Sequence, residues 1–341
     1  MSLRTNLSIV FVFIGCCVNV IVLEKLTNNI NGIANLITFL QFIFISLEGF
    51  IFTSKCGNRR SLIPIKDCSV LVILFFVSSV CNNYAYNLNV PTTLHIIIKS
   101  GSLITNMGVG LLMGRRYYAK KKYISVVLVT IGIIICTLSS AKSLSDSPLI
   151  SSLDVLYWAF GITLLLVALI IGAFMGLMQE DLYKKCGKHP KDVLYYTHLL
   201  PLPMFVLLYS DLVSAVKVCM NYSSTDIPLL GHVSSAWVLL FVSVVTQYIC
   251  IRSVYVLTSE CTSLTVTLVL TLRKFVSLLL SVILFDNIFT INHWIGTVFV
   301  FFGTCLYTDL IKLTSVGGRH AAFWTLNLPI VTIYVSTSGQ H

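Results

Sequence analysis

Charged residues are scarce in this chain. They make up 11% of its 341 residues, whereas soluble domains carry about 25%. Apolar residues make up 56%, and the mean hydropathy is +0.90. A soluble core cannot bury this much apolar surface, so the composition excludes an ordinary soluble domain. Lipid must surround most of the chain.

Signatures of catalysis are also absent from the sequence. The chain has no HExxH, GxSxG or phosphate-binding loop, and no paired carboxylates on one helix face. Its 11 cysteines show neither CxxC nor Cys/His metal spacing, and most lie in apolar runs, so we interpret them as packing residues. We therefore expect no enzymatic activity, no metal and no other cofactor. The net charge of +10 does not indicate a nucleic-acid partner, because the basic residues cluster in short loops, as in membrane proteins.

Ten apolar runs are long enough to cross a bilayer, which takes about 20 residues. The predicted spans are 5–23, 33–53, 68–88, 93–113, 123–141, 155–178, 193–213, 234–256, 261–285 and 291–311. If the N-terminus is cytosolic, most of the 23 Lys and Arg fall in cytosolic linkers, and the opposite side receives only Lys25, Lys142 and Lys217. This bias predicts that both termini are cytosolic.

The longest linker, 214–233, contains the glycosylation sequon Asn221-Tyr222-Ser223 on the predicted lumenal side, which makes Asn221 a glycosylation candidate. A second sequon at Asn6 would be cytosolic and unused. Residues 314–341 lack a 20-residue apolar run and contain Pro329. We expect this segment to be a poorly structured cytosolic tail.

The chain repeats itself weakly. The segment KKYISVVLVTIGIIICT (121–137) resembles NHWIGTVFVFFGTCLYT (292–308), and each follows a span with an internal cation. A five-span unit repeated once must invert, because five is odd, and inverted repeats around a site are a transporter architecture. We predict an all-α polytopic membrane protein with ten transmembrane helices in two five-helix repeats, 1–141 and 142–313.

Two small-residue spacings permit close helix contacts: Gly110-xxx-Gly114 and Gly172-xxx-Gly176. Packing within one chain is the favoured interpretation, and contact between two chains in a homodimer is the alternative.

Arg273 and Lys274 stand side by side near the middle of the ninth span, where a charge costs about 2.5–3.5 kcal/mol. Snorkelling is disfavoured because each interface lies roughly 17 Å away along the helix. A structural ion pair is a second interpretation, with Glu48, Glu180 or Glu260 as the acid. The third interpretation, which we favour, is a site for an anionic ligand in a water-filled cavity.

Lys99 occupies the corresponding place in the fourth span, and the repeat predicts that it approaches Lys274 near the midplane. Cations that face one cavity repel each other unless an anion such as a phosphate or diphosphate lies between them. Neighbours on a helix point about 100° apart, so we expect Lys274 to bind phosphate and Arg273 to be a second ligand or to hold Lys274. Arg252, near the end of span 8, is interpreted as a structural partner of Glu260.

Polar side chains concentrate at two further places. Span 3 ends with Asn82, Asn83, Tyr84, Tyr86, Asn87 and Asn89, and span 7 opens with Tyr195, Tyr196, Thr197 and His198. A single amide in a span usually joins helices by hydrogen bonds, but two such clusters together favour a ligand cavity. The candidate base- or sugar-binding residues are Tyr196, Thr197, His198, Asn82, Asn83, Tyr86 and Asn87.

These residues resemble the nucleotide-sugar transporters of the drug/metabolite transporter superfamily, and most closely the UDP-xylose/UDP-N-acetylglucosamine transporter subfamily. The resemblance is carried by FIGCCVNVIVLE (13–24), TFLQFIFISLEGF (38–50), NNYAYNLNVPTTLH (82–95), KSGSLITNM (99–107), KHPKDVLYYTHLLPLP (188–203) and SECTSLTVTLVLTLRKFVSLLLSV (259–282). It covers the chain from about residue 8 to residue 311, and the tail after residue 313 departs from it.

The resemblance implies an antiporter of the Golgi or endoplasmic reticulum membrane that imports a UDP-sugar and returns UMP. It implies that Lys274 and Lys99 contact phosphates. A Phe-Tyr-Asn-Asn motif that reads the base in GDP-mannose transporters corresponds to residues 195–198, where both Asn are replaced, which favours uridine over guanosine. The alternatives are a transporter of a GDP-sugar or sugar phosphate, and a receptor or scaffold whose charges are structural.

Overall fold

The fold consists mainly of long α-helices. The computed structural model describes residues 3–30, 32–59, 63–88, 90–113, 118–145, 152–187, 189–222, 224–227, 231–260, 263–285, 289–307, 311–315, 322–327 and 332–335. Within these ranges, seven helical segments are long and apolar enough to cross a membrane: Thr5–Asn29, Ile33–Thr53, Cys68–Asn87, Lys120–Lys142, Leu153–Gln179, Lys191–Met220 and Ser235–Val254. The prediction of a helical polytopic membrane protein is therefore confirmed.

Twelve α-helices are described. They are α1 (Leu3–Asn29), α2 (Ile33–Glu48), α3 (Ile65–Asn87), α4 (Thr92–Ser100), α5 (Ser102–Leu112), α6 (Lys120–Ser145), α7 (Ser152–Cys186), α8 (Pro190–Leu199), α9 (Tyr209–Met220), α10 (Ser235–Glu260), α11 (Ser263–Leu284) and α12 (Ile291–Tyr307). A π-helical turn, Gly49–Thr53, prolongs α2, and a 3-10 segment, Leu202–Leu208, joins α8 to α9.

Two of the predicted spans are not single helices. Span 4 divides into α4 and α5 at Gly101, whose backbone N–H still bonds to the carbonyl of Ile98. Span 7 is interrupted where Pro201 and Pro203 remove backbone donors, and the chain continues as a 3-10 segment. Hydropathy treats such interrupted runs as continuous, because it does not register the loss of helical hydrogen bonds.

Helices α6 and α12 pack with their backbones in close approach. A Cβ atom built on Gly132 would lie 2.5 Å from the carbonyl oxygen of Gly296, and one on Gly303 would lie 2.9 Å from that of Ser125. By contrast, no atom lies within 4 Å of a Cβ on Gly172 or Gly176. The expected intrachain packing at Gly172-xxx-Gly176 is therefore wrong for the described residues, because this face points away from the neighbouring helices. Gly114 lies outside the described residues.

Five short strands qualify the prediction of an all-α protein. β1 (Ser224–Ile227) and β2 (Gly231–Ser234) form an antiparallel hairpin in the predicted lumenal linker. In the tail, β3 (Ile311–Ser315), β4 (Ala322–Asn327) and β5 (Thr332–Val335) pair as an antiparallel sheet. We expected poor structure there, because hydropathy detects spans only. The aromatic and β-branched residues of β4 and β5 instead suit strands.

Two cysteines differ from the predicted packing role. Cys16 of α1 and Cys250 of α10 are joined by a disulfide in the structure. They lie 234 residues apart in sequence, so no local spacing pattern indicates the pairing. The remaining described cysteines are free, and most of them are at least half-buried, as expected for packing residues.

Candidate anion-binding cavity

A cavity of about 450 Å³ lies among helices α2, α3, α4, α7, α8 and α10. Its wall carries apolar rings, amides and hydroxyl-bearing residues together with Lys99. Water-filled, polar cavities inside membrane proteins are where ionisable residues are found when they act on a substrate or ion. The cavity is therefore the candidate site.

Lys99 and Lys274 meet across the two halves of the chain. Lys99 is in the last turn of α4, directly before the break at Gly101. The Nζ atom of Lys274, on α11, donates a hydrogen bond of 3.3 Å to the main-chain carbonyl of Lys99. This bond uses one of three ammonium donors, so two donors of Lys274 stay available. The approach predicted from the repeat is present in the structure.

Arg273 is the third cation of the group. The charges of Arg273 and Lys99 interact with each other and with that of Lys274. Its Nε atom is buried and has no hydrogen-bond partner among the described residues. The Nε donor of Arg273 therefore remains available to an anion, as the role of a second ligand requires.

Neither of the two competing interpretations of these cations gains support. Within the described ranges, Lys99, Arg273 and Lys274 have no carboxylate partner at ion-pair distance. The two intramembrane lysines are half-buried, and Lys274 turns to a backbone carbonyl rather than to an interface. An uncompensated positive charge inside a protein is costly. The arrangement therefore favours the third interpretation, in which an anionic ligand neutralises these cations.

Arg252 has a different partner from the one that we expected. Its Nη1 atom lies 2.6 Å from Oε1 of Glu48 on α2, and Tyr248 donates to the same carboxylate oxygen at 2.8 Å. The packing of α2 on α10 brings Glu48 to Arg252, and the expected pairing with Glu260 stays a prediction. The side chain of Glu260 itself lies outside the description.

Four of the predicted base- or sugar-binding residues line the cavity: Asn82, Asn83, Thr197 and His198. The ring of His198 packs on Phe42 and Phe75, with centroids 4.7 and 5.2 Å away. Its Nδ1 atom bonds to the carbonyl of Leu194 at 2.8 Å, which makes Nε2 the acceptor of the ring. An aromatic wall with one acceptor suits a planar, hydrogen-bonding ligand group.

The other predicted residues are not part of the described lining, and these include Arg273 and Lys274, of which Lys274 reaches the cavity residue Lys99 through its carbonyl. Tyr196 packs on Tyr195, with ring centroids 4.9 Å apart. Tyr86 stacks on His95 at 3.9 Å, and Asn87 accepts a hydrogen bond from the backbone N–H of Gly32. Asn221 follows the last turn of α9, whereas Ser223 of its sequon lies outside the described residues.

Several residues were missed by the sequence analysis. Gln41 of α2 and Gln247 of α10 line the cavity and make no hydrogen bond to any described residue. Glu24, which falls one residue beyond the predicted first span, is buried and accepts a hydrogen bond of 2.6 Å from Ser281. Asp211, inside the seventh span, accepts from Tyr84 and from Asn35. A search for every amide and carboxylate inside the spans or directly next to them would have found all four.

Known proteins are similar to this sequence over nearly its whole length. The profile of the UAA transporter family matches residues 4–311. The chain belongs to the UAA transporter family. It is 48% identical over 324 residues to the endoplasmic reticulum GDP-fucose transporter of Drosophila melanogaster, covering 92% of each chain.

Two further relatives of this UAA family member are not named for GDP-fucose. The chain is 46% identical over 313 residues to the nucleotide sugar transporter SLC35B4 of Homo sapiens, covering 90% of this chain and 95% of that protein. It is 45% identical over 315 residues to the UDP-xylose and UDP-N-acetylglucosamine transporter of Danio rerio, covering 91% and 95%. The resemblance inferred from the sequence is confirmed, and the family is one of membrane transporters.

Proposed function

We propose that this protein is an antiporter that carries a UDP-sugar, UDP-N-acetylglucosamine or UDP-xylose, from the cytosol into the lumen in exchange for UMP. The observation that carries this proposal is the group of Lys99, Arg273 and Lys274, three mutually repelling cations without a described carboxylate partner, of which Lys99 lines an intramembrane cavity. A nucleotide sugar and a nucleoside monophosphate both carry about two negative charges, so one group of cations serves both ligands.

Exchange follows from the same electrostatics. Without an anion the three cations repel one another across the two halves of the chain, which disfavours the closure that a switch between sides requires. A phosphate between them removes that repulsion. Since closure is favoured only with a ligand bound, the protein returns to the cytosolic side with UMP rather than empty.

The contacts between helices support ten spans in two inverted repeats, which we also propose. If spans 1–5 are superposed on spans 6–10, α1 corresponds to α7 and α3 corresponds to α10. The α1–α10 contact then corresponds to the α7–α3 contact, and these two contacts are among the most extensive in the structure. The α2–α10 contact likewise corresponds to the α8–α3 contact. The α6–α12 contact maps onto itself. A chain without the repeat has no reason to follow these equivalences.

The base and sugar are assigned to different parts of the cavity. Asn82, Thr197 and His198, beside the Phe42 and Phe75 rings, are proposed to contact the base. Gln41 and Gln247, which come from α2 and α10, are proposed to contact the sugar, because an amide offers both a donor and acceptors to sugar hydroxyls. Tyr196, Tyr86 and Asn87 are then left supporting this wall from behind rather than touching the ligand.

The glutamines give a prediction that separates sugar from phosphate recognition. We expect Gln247→Ala, and Gln41→Ala, to lower uptake of UDP-N-acetylglucosamine about tenfold, the loss of roughly one good hydrogen bond. Exchange of UMP for UMP should stay within about twofold of the unmodified protein. Both rates are measured in proteoliposomes. An equal loss of both activities would show that the glutamines do not read the sugar.

The proposed function is tested by uptake into purified proteoliposomes. Vesicles loaded with UMP should take up UDP-N-acetylglucosamine or UDP-xylose at least about tenfold faster than empty vesicles. Equal uptake with or without internal UMP would contradict antiport. The panel includes GDP-fucose with internal GMP, because one similar protein is named as a GDP-fucose transporter. Preference for that pair would establish the second candidate function, a GDP-sugar antiporter.

Residence in the Golgi or endoplasmic reticulum membrane, with both termini cytosolic, completes the proposal. The basic linkers support this orientation, and one similar protein is named for the endoplasmic reticulum. In this orientation Asn221 is lumenal and remains a candidate for glycosylation.

A further inference from the structure

Two tyrosine–carboxylate hydrogen bonds join the two halves of the chain. Tyr84 of α3 donates to Oδ2 of Asp211 on α9. Tyr248 of α10 donates to Oε1 of Glu48 at the end of α2 at 2.8 Å. In terms of the proposed repeats, the first bond joins span 3 to span 7, and the second joins span 8 to span 2. The exchange of the two repeats turns one bond into the other.

The sequence supports this equivalence. Glu48 follows Phe42 by six residues, and Asp211 follows Phe205 by six residues. Phe42 and Phe205 contact each other edge to face, with centroids 5.4 Å apart, and both are 3% exposed. Two equivalent residues in mutual contact lie on the axis that relates the repeats. Each carboxylate is therefore about 9 to 10 Å along its own span from that axis, since span 7 is partly 3-10 helical.

The two bonds lie at opposite ends of the cavity. Asn35, at the start of α2, contacts Asp211, and Gly49, at the other end of the span, lies against the Tyr195 ring. Spans 2 and 7 are therefore antiparallel. Because each carboxylate comes six residues after the central Phe contact on antiparallel spans, Glu48 and Asp211 lie on opposite sides of it.

The cavity reaches the neighbours of both tyrosines. Asn82 and Asn83, directly before Tyr84, line it, and so does Gln247, directly before Tyr248. Asn83 also donates to Asn35 at 3.1 Å, and Asn35 donates to Asp211 at 3.3 Å. A ligand in the cavity thus contacts residues that adjoin each tyrosine–carboxylate bond, which gives it a direct route to both.

We propose that the Tyr84–Asp211 and Tyr248–Glu48 bonds are paired latches, one at each mouth of the cavity, that open in turn during transport. The proposal rests on the inverted-repeat transporter described above. In the predicted orientation, Tyr84–Asp211 closes the lumenal mouth and Tyr248–Glu48 closes the cytosolic mouth. Arg252 reinforces the cytosolic latch, since its Nη1 atom lies 2.6 Å from Glu48 and also contacts the Tyr248 hydroxyl.

The latches are tested by removing one hydroxyl at a time and measuring which side of the membrane the cavity faces. A cysteine at the cavity position Ser79 (Ser79→Cys) is carried in the full chain. A membrane-impermeant maleimide is added to one side of sidedness-controlled vesicles, and the signal is compared with that of the same protein without the new cysteine. Tyr84→Phe should raise the ratio of lumenal to cytosolic labelling about tenfold, which corresponds to about 1.4 kcal/mol. Tyr248→Phe should lower it about tenfold.

The double variant supplies the decisive comparison. With both hydroxyls removed, the ratio should return to within about threefold of its starting value, because the two changes oppose each other. Tyr209→Phe is the matched control, since Tyr209 begins the same helix as Asp211 but is 69% exposed. Single variants that shift the ratio in the same direction, or no more than Tyr209→Phe does, would overturn the proposal.

Two features of the experiment distinguish a failure of the latch proposal from misfolding of a variant and from a wrong substrate assignment. If Tyr84→Phe does not give folded protein, Asp211→Asn weakens the same latch and must shift the ratio in the same direction. Labelling requires no substrate, so a wrong substrate assignment leaves the latch result intact. Conversely, unmodified protein that exchanges no nucleotide sugar would refute the proposed function while the opposed labelling shifts still stood.

Discussion

Replacing Lys274 by alanine is expected to lower nucleotide exchange at least about 100-fold. Its ammonium keeps two free donors next to Lys99, which lines the cavity, and the charge of Arg273 also acts on it. Charge-assisted hydrogen bonds to phosphate are about twice as strong as neutral ones. The carbonyl of Lys99 positions Lys274, and no other described cation contacts this carbonyl and could replace Lys274 there. The measurement is UMP-driven uptake of UDP-N-acetylglucosamine, together with UMP–UMP exchange, and both should fall.

The stability of the same variant distinguishes a ligand-binding lysine from a structural one. Lys274 has no described carboxylate partner and is repelled by two cations, so its removal should leave the midpoint of thermal unfolding in detergent unchanged or raise it. Lys185→Ala, at an exposed position near the end of α7, is the control that should keep full exchange. Retained exchange in Lys274→Ala would move the phosphate site elsewhere, and a large loss of stability would favour a structural role.

The second large effect is expected at the α6–α12 contact. Gly132→Val should lower the free energy of unfolding by about 3 kcal/mol, the upper part of the range for overpacking. A Cβ atom at Gly132 would lie 2.5 Å from the Gly296 carbonyl oxygen and 2.9 Å from the backbone nitrogen of Val300. Backbone atoms of a packed helix cannot turn aside as a flexible side chain does, so the helices must separate. The check is thermal unfolding of the purified protein.

Gly172→Val is the matched control for this prediction. It places the same side chain in the helix α7, where no atom lies within 4 Å of the added Cβ. Because valine has a better helix propensity than glycine, the control should be as stable as the unmodified protein or slightly more stable. Equal losses in the two variants would mean that the cost arises from the substitution in a helix and not from the α6–α12 contact.

The candidate site was predictable in its charges and less so in its neutral groups. Arg273, Lys274 and Lys99 stand out because charges within apolar runs are costly, and the weak repeat relates the two lysines. Gln41 and Gln247 were missed because each is a single amide in an otherwise apolar span. Such a residue gives the same sequence signal whether it faces lipid, a neighbouring helix or a cavity.

The sequence by itself determined that the chain crosses a membrane, where most spans lie, and that cations are buried within them. These properties follow from the free energy of transferring each segment to lipid, which depends on local composition. Tertiary structure alone decided that Arg252 pairs with Glu48, that Tyr86 stacks on His95 instead of lining the cavity, and that Cys16 meets Cys250. Each of these contacts joins different helices, and which helix faces meet depends on the packing of the whole bundle.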